Sequence, residues 1–165
     1  MYQRDSKPKP IDRSSSALRP VKPCKATGAI FFCALALITS TNDALAGQWI
    51  EGQVTHVRDV DTIEVKNLPV RLNGVDGPEL DEKGGRDGKR WMQKLVLHKP
   101  VKCWLNGDKT YDRWVGTCYE ASGEDIGALA IGAGLARDCP RFSGGKYRQY
   151  ETAASRKLPF HSYCR

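Results

Sequence analysis

Three short segments of the chain combine charged side chains with breaks between predicted strands. They are Asp59-Val60-Asp61-Thr62, the run from Arg71 to Glu79, and Tyr111-Asp112-Arg113. Carboxylates grouped at strand ends could jointly hold a hard cation, because Ca²⁺ prefers several oxygen ligands and accepts backbone carbonyls among them. The three segments are therefore candidates for one shared site.

The second and third segments also carry groups that suit phosphodiester chemistry. A free carboxylate such as Glu79 could take a proton from a metal-associated water. Arg71 and Arg113 suit a phosphodiester because their charge does not titrate away and their forked donors match phosphate oxygens. This match is strongest as negative charge builds up in the transition state.

Each segment also has a structural explanation without chemistry. Asp-x-Asp-Thr is often a polar hairpin turn, and the Asp-Gly-Pro at 76–78 is a common turn sequence. An arginine in a strand is more often a solvated or ion-paired surface residue than a catalytic one. The order and spacing of the three segments together favour a functional site.

The elements expected to position these segments are short strands followed by helices. Apolar patterns predict strands at 48–58, 62–67, 69–75, 101–105 and 113–120, and helices at 89–98, 124–136 and 146–156. Five short strands, with a helix between the third and the fourth, is the order of an OB-fold barrel. We therefore predict an α+β fold, a five-stranded OB-fold barrel with about three helices.

The same residues resemble the signature of the staphylococcal-nuclease-like (thermonuclease) proteins. That signature runs Asp-Gly-Asp-Thr, then Arg-Leu-x-Gly-(Ile/Val)-Asp-(Ala/Thr)-Pro-Glu, then Tyr-Gly-Arg at the start of a later strand. The three segments above match it in order, and the resemblance covers about residues 50–156. It implies an OB-fold and a Ca²⁺-dependent phosphodiesterase that acts on DNA and RNA.

Four residues match the family's metal side by position. Asp61 and Asp76 match the calcium carboxylates, and Gly77 matches the residue that binds the ion through its carbonyl. Asp59 matches a carboxylate that lies behind these ligands. The resemblance thus implies Ca²⁺ as the cofactor.

Four more residues match the family's substrate side. Glu79 matches the proposed general base, and Arg71 and Arg113 match the two phosphate-binding arginines. Tyr111 matches the tyrosine that lines the nucleotide pocket. The products implied by the resemblance carry 3′-phosphates, after in-line attack with loss of the 5′-oxygen.

The chain departs from the family signature at three positions. Val60 replaces a glycine, and a β-branched residue would strain the first turn if that turn needs a positive φ. Gly77 replaces Ala or Thr, which should matter little to a carbonyl ligand but loosens the loop. Asp112 replaces the glycine before Arg113, where it could pair with that guanidinium and compete with substrate, or steer it.

The first 46 residues are predicted to be a targeting segment. Residues 1–25 are rich in Pro, Ser and Lys/Arg, 26–40 are uncharged and apolar, and Ala44-Leu45-Ala46 precedes Gly47. These are the three parts of a secretory signal peptide. The alternative, an uncleaved anchor, is disfavoured because the apolar run is shorter than the roughly 20 residues of a spanning helix. We expect cleavage after Ala46 and an exported domain, 47–165, in the periplasm or medium without stable membrane association.

Cysteine usage also indicates export. The mature chain retains Cys103, Cys118, Cys139 and Cys164, and an even number in a short exported chain suggests disulfides. Of the three possible pairings, Cys103–Cys118 is favoured across a hairpin that turns at Asn106-Gly107-Asp108, which leaves Cys139–Cys164. A zinc site made by all four thiolates is the alternative, but no pair has the close C-x-x-C spacing.

Composition and charge set limits without identifying a partner. The 165 residues are 40% hydrophobic and 27% charged, which excludes a collagen-like or wholly disordered chain. Of the net charge of +7, only +3 belongs to residues 47–165, so charge is weak evidence for nucleic acid. DNA or RNA as substrate follows from the resemblance, and we expect a monomer. The main rival is a non-catalytic OB-fold module that binds nucleic acid or protein; a barrel supporting an envelope assembly is a third hypothesis.

Overall fold

A closed five-stranded barrel is the centre of the structure, a computed structural model that describes residues 47–165. The strands in these residues are β1 (Gln48–Val57), β2 (Thr62–Val65), β3 (Leu68–Leu72), β4 (Val75–Asp76), β5 (Pro100–Thr110), β6 (Arg113–Glu120) and β7 (Arg137–Asp138). The barrel order is β1-β2-β3-β6-β5, with β5 pairing back to β1, while β4 and β7 form a separate antiparallel pair. Only β3 and β6 pair in parallel within the barrel. This arrangement confirms the predicted OB-fold.

The described residues also form three α-helices outside the barrel strands. They are α1 (Gly85–Val96), α2 (Ile126–Gly132) and α3 (Pro140–Ser143), and short 3₁₀ turns follow at Arg148–Tyr150, Ser155–Lys157 and Ser162–Cys164. The helices predicted at 89–98 and 124–136 exist, but α1 begins four residues earlier and α2 is shorter. Within residues 47–165, no helix has the length and apolar character that a membrane crossing requires.

The hydrophobic core is made by alternate apolar side chains of the barrel strands and by the apolar faces of α1 and α2. Apolar side chains buried in one cluster come from five barrel strands, from α1 and from α2; they include Val54, Ile63, Val70, Met92, Leu105, Cys118 and Ile131. Alternate residues of a strand point to opposite faces, so one set fills the barrel and the other remains outside. The barrel is thus a packed support for the segments at its rim.

The predicted strand at 69–75 is divided in two. Gly74 has a φ of 70°, in the left-handed region that glycine tolerates, and it separates β3 from β4. A Cβ at this glycine would lie 2.4 Å from Cβ of Ser143, so the close approach of α3 also requires it. As a result Asp76 belongs to β4 and is paired with Arg137 of β7.

The hairpin between β5 and β6 turns later than predicted. Asn106-Gly107-Asp108 lies inside β5, at an irregularity in the β5–β6 register, and the turn is made by Tyr111 and Asp112. Residues that favour turns, such as Asn, Gly and Asp, also favour β-bulges, so these three residues bend the strand without ending it. The predicted position of the turn is wrong, and the actual turn lies in the third charged segment.

The helix predicted at 146–156 is wrong. Two 3₁₀ turns occupy the segment instead, and Thr152 and Ser155 bond each other between them. The Thr152 amide donates to Ser155 Oγ at 2.6 Å, and the Ser155 amide donates to Thr152 Oγ1 at 3.2 Å. Such side-chain bonds offer the backbone an alternative to helical bonds.

Both predicted disulfides are present. Cys103 and Cys118 are partners in the β5–β6 register, with their Cα atoms 4.0 Å apart. Cys139, which follows β7, is bonded to Cys164 next to the C-terminus. The second disulfide therefore fixes the end of the chain beside the β4–β7 pair.

Candidate active site

A cavity of about 660 Å³ opens at the rim of the barrel. Five of the predicted site residues line it, and they come from all three charged segments: Asp61, Arg71, Glu79, Tyr111 and Arg113. The structure therefore brings together side chains that are as much as 52 positions apart in the chain.

Strand register explains why these side chains meet. Thr62 at the start of β2 is paired with Arg71 of β3, and Arg71 is paired with Val115 of β6. Asp61 directly precedes β2, and Arg113 lies two residues before Val115, on the same face of its strand. Thr62 Oγ1 joins the two, because it accepts from Arg113 Nη1 at 3.2 Å and donates to Asp61 Oδ1 at 3.1 Å.

Arg71 is held by a buried ion pair. Its Nη1 lies 2.5 Å from Asp61 Oδ2 and donates to the Val75 carbonyl at 2.9 Å. Removing one partner of such a pair typically costs about 3–5 kcal/mol, because the other charge is left buried without compensation. The guanidinium is therefore fixed in position at the cavity wall.

Asp61 is a buried carboxylate supported by the Gly77 amide and the Thr62 hydroxyl. Its side chain is 8% exposed, its amide donates to Asp59 Oδ1 at 3.0 Å, and its Oδ2 accepts from the Gly77 amide at 3.0 Å. Burial raises the pKa of Asp61 to about 7, and Asp59 adds to the rise while Arg71 opposes it. A buried anion with this environment is stabilised by any further positive charge placed beside it.

Val60 and Gly77 fit each other. Val60 is fully buried and does not have a positive φ, so the condition under which a valine would strain the first turn is not met. A Cβ at residue 77 would lie only 2.1 Å from Cγ1 of Val60, and a Cβ at Gly88 would lie 2.9 Å from Val60 Cβ. Gly77 is therefore required by Val60, and the two departures from the family signature compensate for each other.

Asp112 pairs with a different arginine from the expected one. In the described part of the chain its Oδ2 accepts from Arg58 Nη1 at 2.7 Å, and Arg58 Nε also donates to Glu64 at 2.8 Å. The Arg58 bond lowers the pKa of Asp112. Competition between Asp112 and substrate for Arg113 is thus not what the structure shows.

Glu79 and Tyr111 are the exposed members of the site. The side chain of Glu79 lines the cavity, while its amide donates to Glu82 Oε2 at 2.8 Å. Tyr111 is 93% exposed, has a φ of 57°, and lies with its ring centroid 5.8 Å from the Arg113 guanidinium. Both side chains are accessible to a molecule that enters the cavity.

Asp76 is covered by residues that the sequence did not reveal. We refer to Leu158–Arg165 as the C-terminal tail. Tyr163 Oη donates to Asp76 Oδ1 at 2.8 Å, and His161 Nδ1 lies 2.8 Å from the same oxygen. Asp76 is 1% exposed and does not line the cavity, whereas Tyr163 does.

The covering residues form a small network. The rings of His161 and Tyr163 are stacked with centroids 5.2 Å apart, and His161 Nε2 lies 3.5 Å from Glu82 Oε2. Burial lowers the pKa of His161, but the bond to Asp76 outweighs this and the net pKa is raised. The one signal in the sequence was their position next to Cys164, whose predicted disulfide fixes where the tail ends.

The oxygens near the cavity do not form a side-chain metal cluster by themselves. Among residues 47–165, no group of three or more His, Cys, Asp and Glu side chains is arranged as a metal site. Gly77 connects the two buried carboxylates, since it follows Asp76 and its amide donates to Asp61. Its carbonyl is the third oxygen of the predicted set, a set that needs backbone and water oxygens to be complete.

Comparison with known proteins identifies the family. Residues 69–157, more than half of the chain, match the family described as staphylococcal nuclease homologue. The chain belongs to the staphylococcal nuclease family. Members of this family are generally nucleases, and the matched segment includes Arg71, Asp76, Glu79 and Arg113 of this chain.

A curated relative of this staphylococcal nuclease homologue supports the same conclusion. The chain is 37% identical over 131 residues to the succinoglycan biosynthesis protein ExoI of Rhizobium meliloti (strain 1021), a match over 73% of this chain and 68% of that protein. Asp59 and Asp61 lie before the segment matched by the family, and the C-terminal tail lies after it. The tail residues that contact Asp76 therefore lie outside the segment matched by the family.

Proposed function

We propose that this protein is an exported Ca²⁺-dependent nuclease that hydrolyses phosphodiester bonds of DNA or RNA. The observation that carries the proposal is the meeting of Arg71, Arg113 and Glu79 at one cavity of about 660 Å³. Two fixed cations and one exposed carboxylate suit an anionic substrate that must be attacked by water. The predicted roles of the site residues remain those of the sequence analysis.

The two arginines bind the phosphate from adjacent strands. Arg71 has its position set by Asp61 and the Val75 carbonyl, and Arg113 is oriented by Thr62. Donors that are fixed before the reaction stabilise developing negative charge without reorganisation. In this proposal both guanidiniums contact the non-bridging oxygens as the phosphorus becomes pentacoordinate.

Glu79 is the proposed general base that takes a proton from the attacking water. Its exposed carboxylate accepts that proton while the water oxygen forms a bond to phosphorus and the bond to the 5′-oxygen breaks. The leaving oxygen takes up a proton from solvent, so the products are a 3′-phosphate and a 5′-hydroxyl. Tyr111, at the cavity and almost fully exposed, is placed to contact the nucleotide.

The residues present fit Ca²⁺ by the chemistry of their donors. Two carboxylates and a carbonyl, from Asp61, Asp76 and Gly77, are the hard oxygens that Ca²⁺ prefers, with Asp59 behind them. The raised pKa of Asp61 is that of a buried anion without enough compensating charge. When bound, Ca²⁺ would supply positive charge beside the scissile phosphate.

Export is part of the proposal because of the disulfides. Cys103–Cys118 and Cys139–Cys164 are of the kind that persists in oxidising compartments. The predicted signal peptide, cleaved after Ala46, lies outside the described residues. We propose a monomer that acts in the periplasm or the medium.

Cleavage of single-stranded DNA tests the proposal. The exported protein, produced from the full chain, should cleave the substrate with Ca²⁺ and lose activity in chelator. Mg²⁺ should support little turnover, because it requires an octahedral shell and releases its waters reluctantly. DNA binding without cleavage under any metal would instead establish the non-catalytic OB-fold module.

A further inference from the structure

The C-terminal tail makes a specific contact with the site rather than simply covering the barrel. Two donors from one short segment converge on Oδ1 of Asp76, from Tyr163 Oη and His161 Nδ1, both at 2.8 Å. The backbone amide of His161 lies 3.4 Å from the other carboxylate oxygen. One oxygen of Asp76 is thus held by two strong bonds, and the second has only a long one.

Several contacts independent of Asp76 hold the tail in place. The Cys139–Cys164 disulfide fixes its end, and Arg137 donates to the Leu158 carbonyl at 3.4 Å. The same guanidinium lies over the Phe160 ring, 4.5 Å from its centroid. The tail is therefore a fixed element, anchored at both ends of the segment that contacts Asp76.

Hydrogen bonds of this kind hold a metal-binding carboxylate in one orientation. Carboxylates that bind metals are usually hydrogen-bonded on their other side, and loss of such a bond typically costs about 10–100-fold in metal affinity or activity. A carboxylate with one oxygen fixed by two donors cannot rotate freely, so its other oxygen is presented in one direction. Tyr163 also lines the cavity itself, so the support lies next to the substrate space.

We propose that His161 and Tyr163 are positioning residues that orient Asp76 for a cation, with the Cys139–Cys164 disulfide as their tether. This inference rests on the proposed function, because it assigns the tail to the same cation site. It adds two residues beyond the segment matched by the family, 69–157, to the working part of the molecule.

The opposite role for the tail makes opposite predictions. If the tail blocked Asp76, removing its donors would free the carboxylate and strengthen cation binding. If the tail orients Asp76, removing a donor weakens binding. The sign of the change in Ca²⁺ affinity therefore distinguishes the two roles.

Calorimetric titration with Ca²⁺ alone provides the test. Tyr163→Phe keeps the ring and removes the hydroxyl bond, and we expect its Ca²⁺ Kd to rise about tenfold. Tyr150→Phe is the matched control, because Tyr150 has nearly the same exposure, 43% against 41%, and lies outside the cavity lining. The Tyr150→Phe variant should bind Ca²⁺ with the wild-type Kd.

A second pair of variants keeps the test independent of one hydroxyl. His161→Ala should weaken Ca²⁺ binding, and His161→Asn, whose amide can donate from about the place of Nδ1, should restore part of it.

The two disulfides provide a further matched pair. The double variant Cys139→Ser with Cys164→Ser should weaken Ca²⁺ binding, whereas Cys103→Ser with Cys118→Ser should change stability without changing the Ca²⁺ Kd of the folded protein.

The outcomes separate this inference from the proposed function. Unchanged or tighter Ca²⁺ binding in Tyr163→Phe and His161→Ala, in a wild type that cleaves DNA with Ca²⁺, would overturn the positioning role alone. A wild type that neither binds Ca²⁺ nor cleaves would overturn the proposed function and the inference with it.

Discussion

The two sides of the candidate site are built in different ways. On the barrel side, Arg71, Arg113 and Asp61 are placed by the register of three neighbouring strands. On the tail side, His161 and Tyr163 lie in an irregular segment held by one disulfide and a few side-chain contacts. Strand register is supported by many cooperative bonds, so the barrel side is the more robust, whereas the tail side depends on one disulfide and a few side-chain contacts.

This difference leads to a division of labour. In the proposed function the barrel side carries the groups that contact the phosphate, and in the proposed positioning role the tail side acts through Asp76. Changes to the barrel side should therefore alter the rate of the chemical step, and changes to the tail side should alter the concentration of cation that is needed. The predictions below test this division, from the largest expected effect to the smallest.

The largest effect is expected from the barrel-side arginines and from Glu79, which lines the same cavity. Arg113→Ala and Glu79→Gln should each lower kcat by at least about 10²-fold, the scale of losing a charge-stabilising donor or a general base. Arg71→Ala should do the same and also destabilise the fold, because Asp61 would be left buried without its partner. Steady-state cleavage of single-stranded DNA at saturating Ca²⁺ measures these rates.

Arg58→Ala is the control for the arginine variants. Arg58 pairs with Glu64 and Asp112 and is not among the cavity-lining residues. Its kcat should stay within about twofold of wild type, as for a surface substitution. Equal losses in Arg58→Ala and Arg113→Ala would show that charge in general, rather than position in the cavity, supports cleavage.

A packing prediction follows from Val60 and Gly77. Gly77→Ala should lower the free energy of unfolding by about 1–3 kcal/mol, because the new methyl meets Val60 Cγ1 at 2.1 Å. Val60→Ala removes that atom, so the closest atoms to the new methyl become Asp61 Oδ2 at 3.2 Å and the Cβ of residue 60 at 3.6 Å. The double variant should therefore lose less stability than the sum of the single variants, as measured by chemical denaturation.

The control for this cycle is another glycine of the described chain. A methyl group added at Gly132 would meet nothing within 4 Å, so Gly132→Ala should not cause a packing loss. Strict additivity in the Val60/Gly77 cycle would contradict the claim that the two positions compensate for each other.

The sequence predicted the barrel side far better than the tail side. The charged motifs and the strand alternation located Asp61, Arg71 and Arg113, because local residue types determine both. The turn at 106–108 was misplaced, since the β5–β6 register continues through a bulge and Tyr111 makes the turn with a positive φ that no local pattern indicates.

The tail side depended on contacts between distant parts of the chain. The pairing of β4 with β7 places Cys139 near Asp76, and only then does the disulfide bring His161 and Tyr163 to the same carboxylate. The disulfide itself was predictable from the even number of cysteines and from the hairpin, which pairs Cys103 with Cys118 and leaves Cys139 for Cys164. Its consequence for Asp76 was not, because a two-residue strand such as β7 has no periodicity to detect.

The raised pKa of Asp61 predicts a pH dependence of stability in the absence of Ca²⁺. The folded protein binds this proton more tightly than the unfolded chain, so the contribution of Asp61 to stability is present at low pH and is lost as the pH rises from about 4 to about 7. Relative to Asp61→Asn, wild type should therefore lose unfolding free energy across that window. A constant difference between the two proteins would contradict the shift.

The smallest effect is expected at Asp112. Its ion pair with Arg58 is at the surface, where water and salt screen it, so the pair contributes little to stability. Asp112→Gly, which restores the residue of the family signature, should leave stability nearly unchanged and change kcat by less than about twofold. A large gain in kcat would show that Asp112 does compete for Arg113.

The division between the two sides is tested most directly by one paired measurement: DNA cleavage as a function of Ca²⁺ concentration in Arg113→Ala and Tyr163→Phe. Arg113→Ala should lose at least about 10²-fold in the rate at saturating Ca²⁺, with little change in the concentration for half activity. Tyr163→Phe should need about tenfold more Ca²⁺ and then approach the wild-type rate. The reverse pattern, or the same pattern in both variants, would contradict the division of roles between barrel and tail.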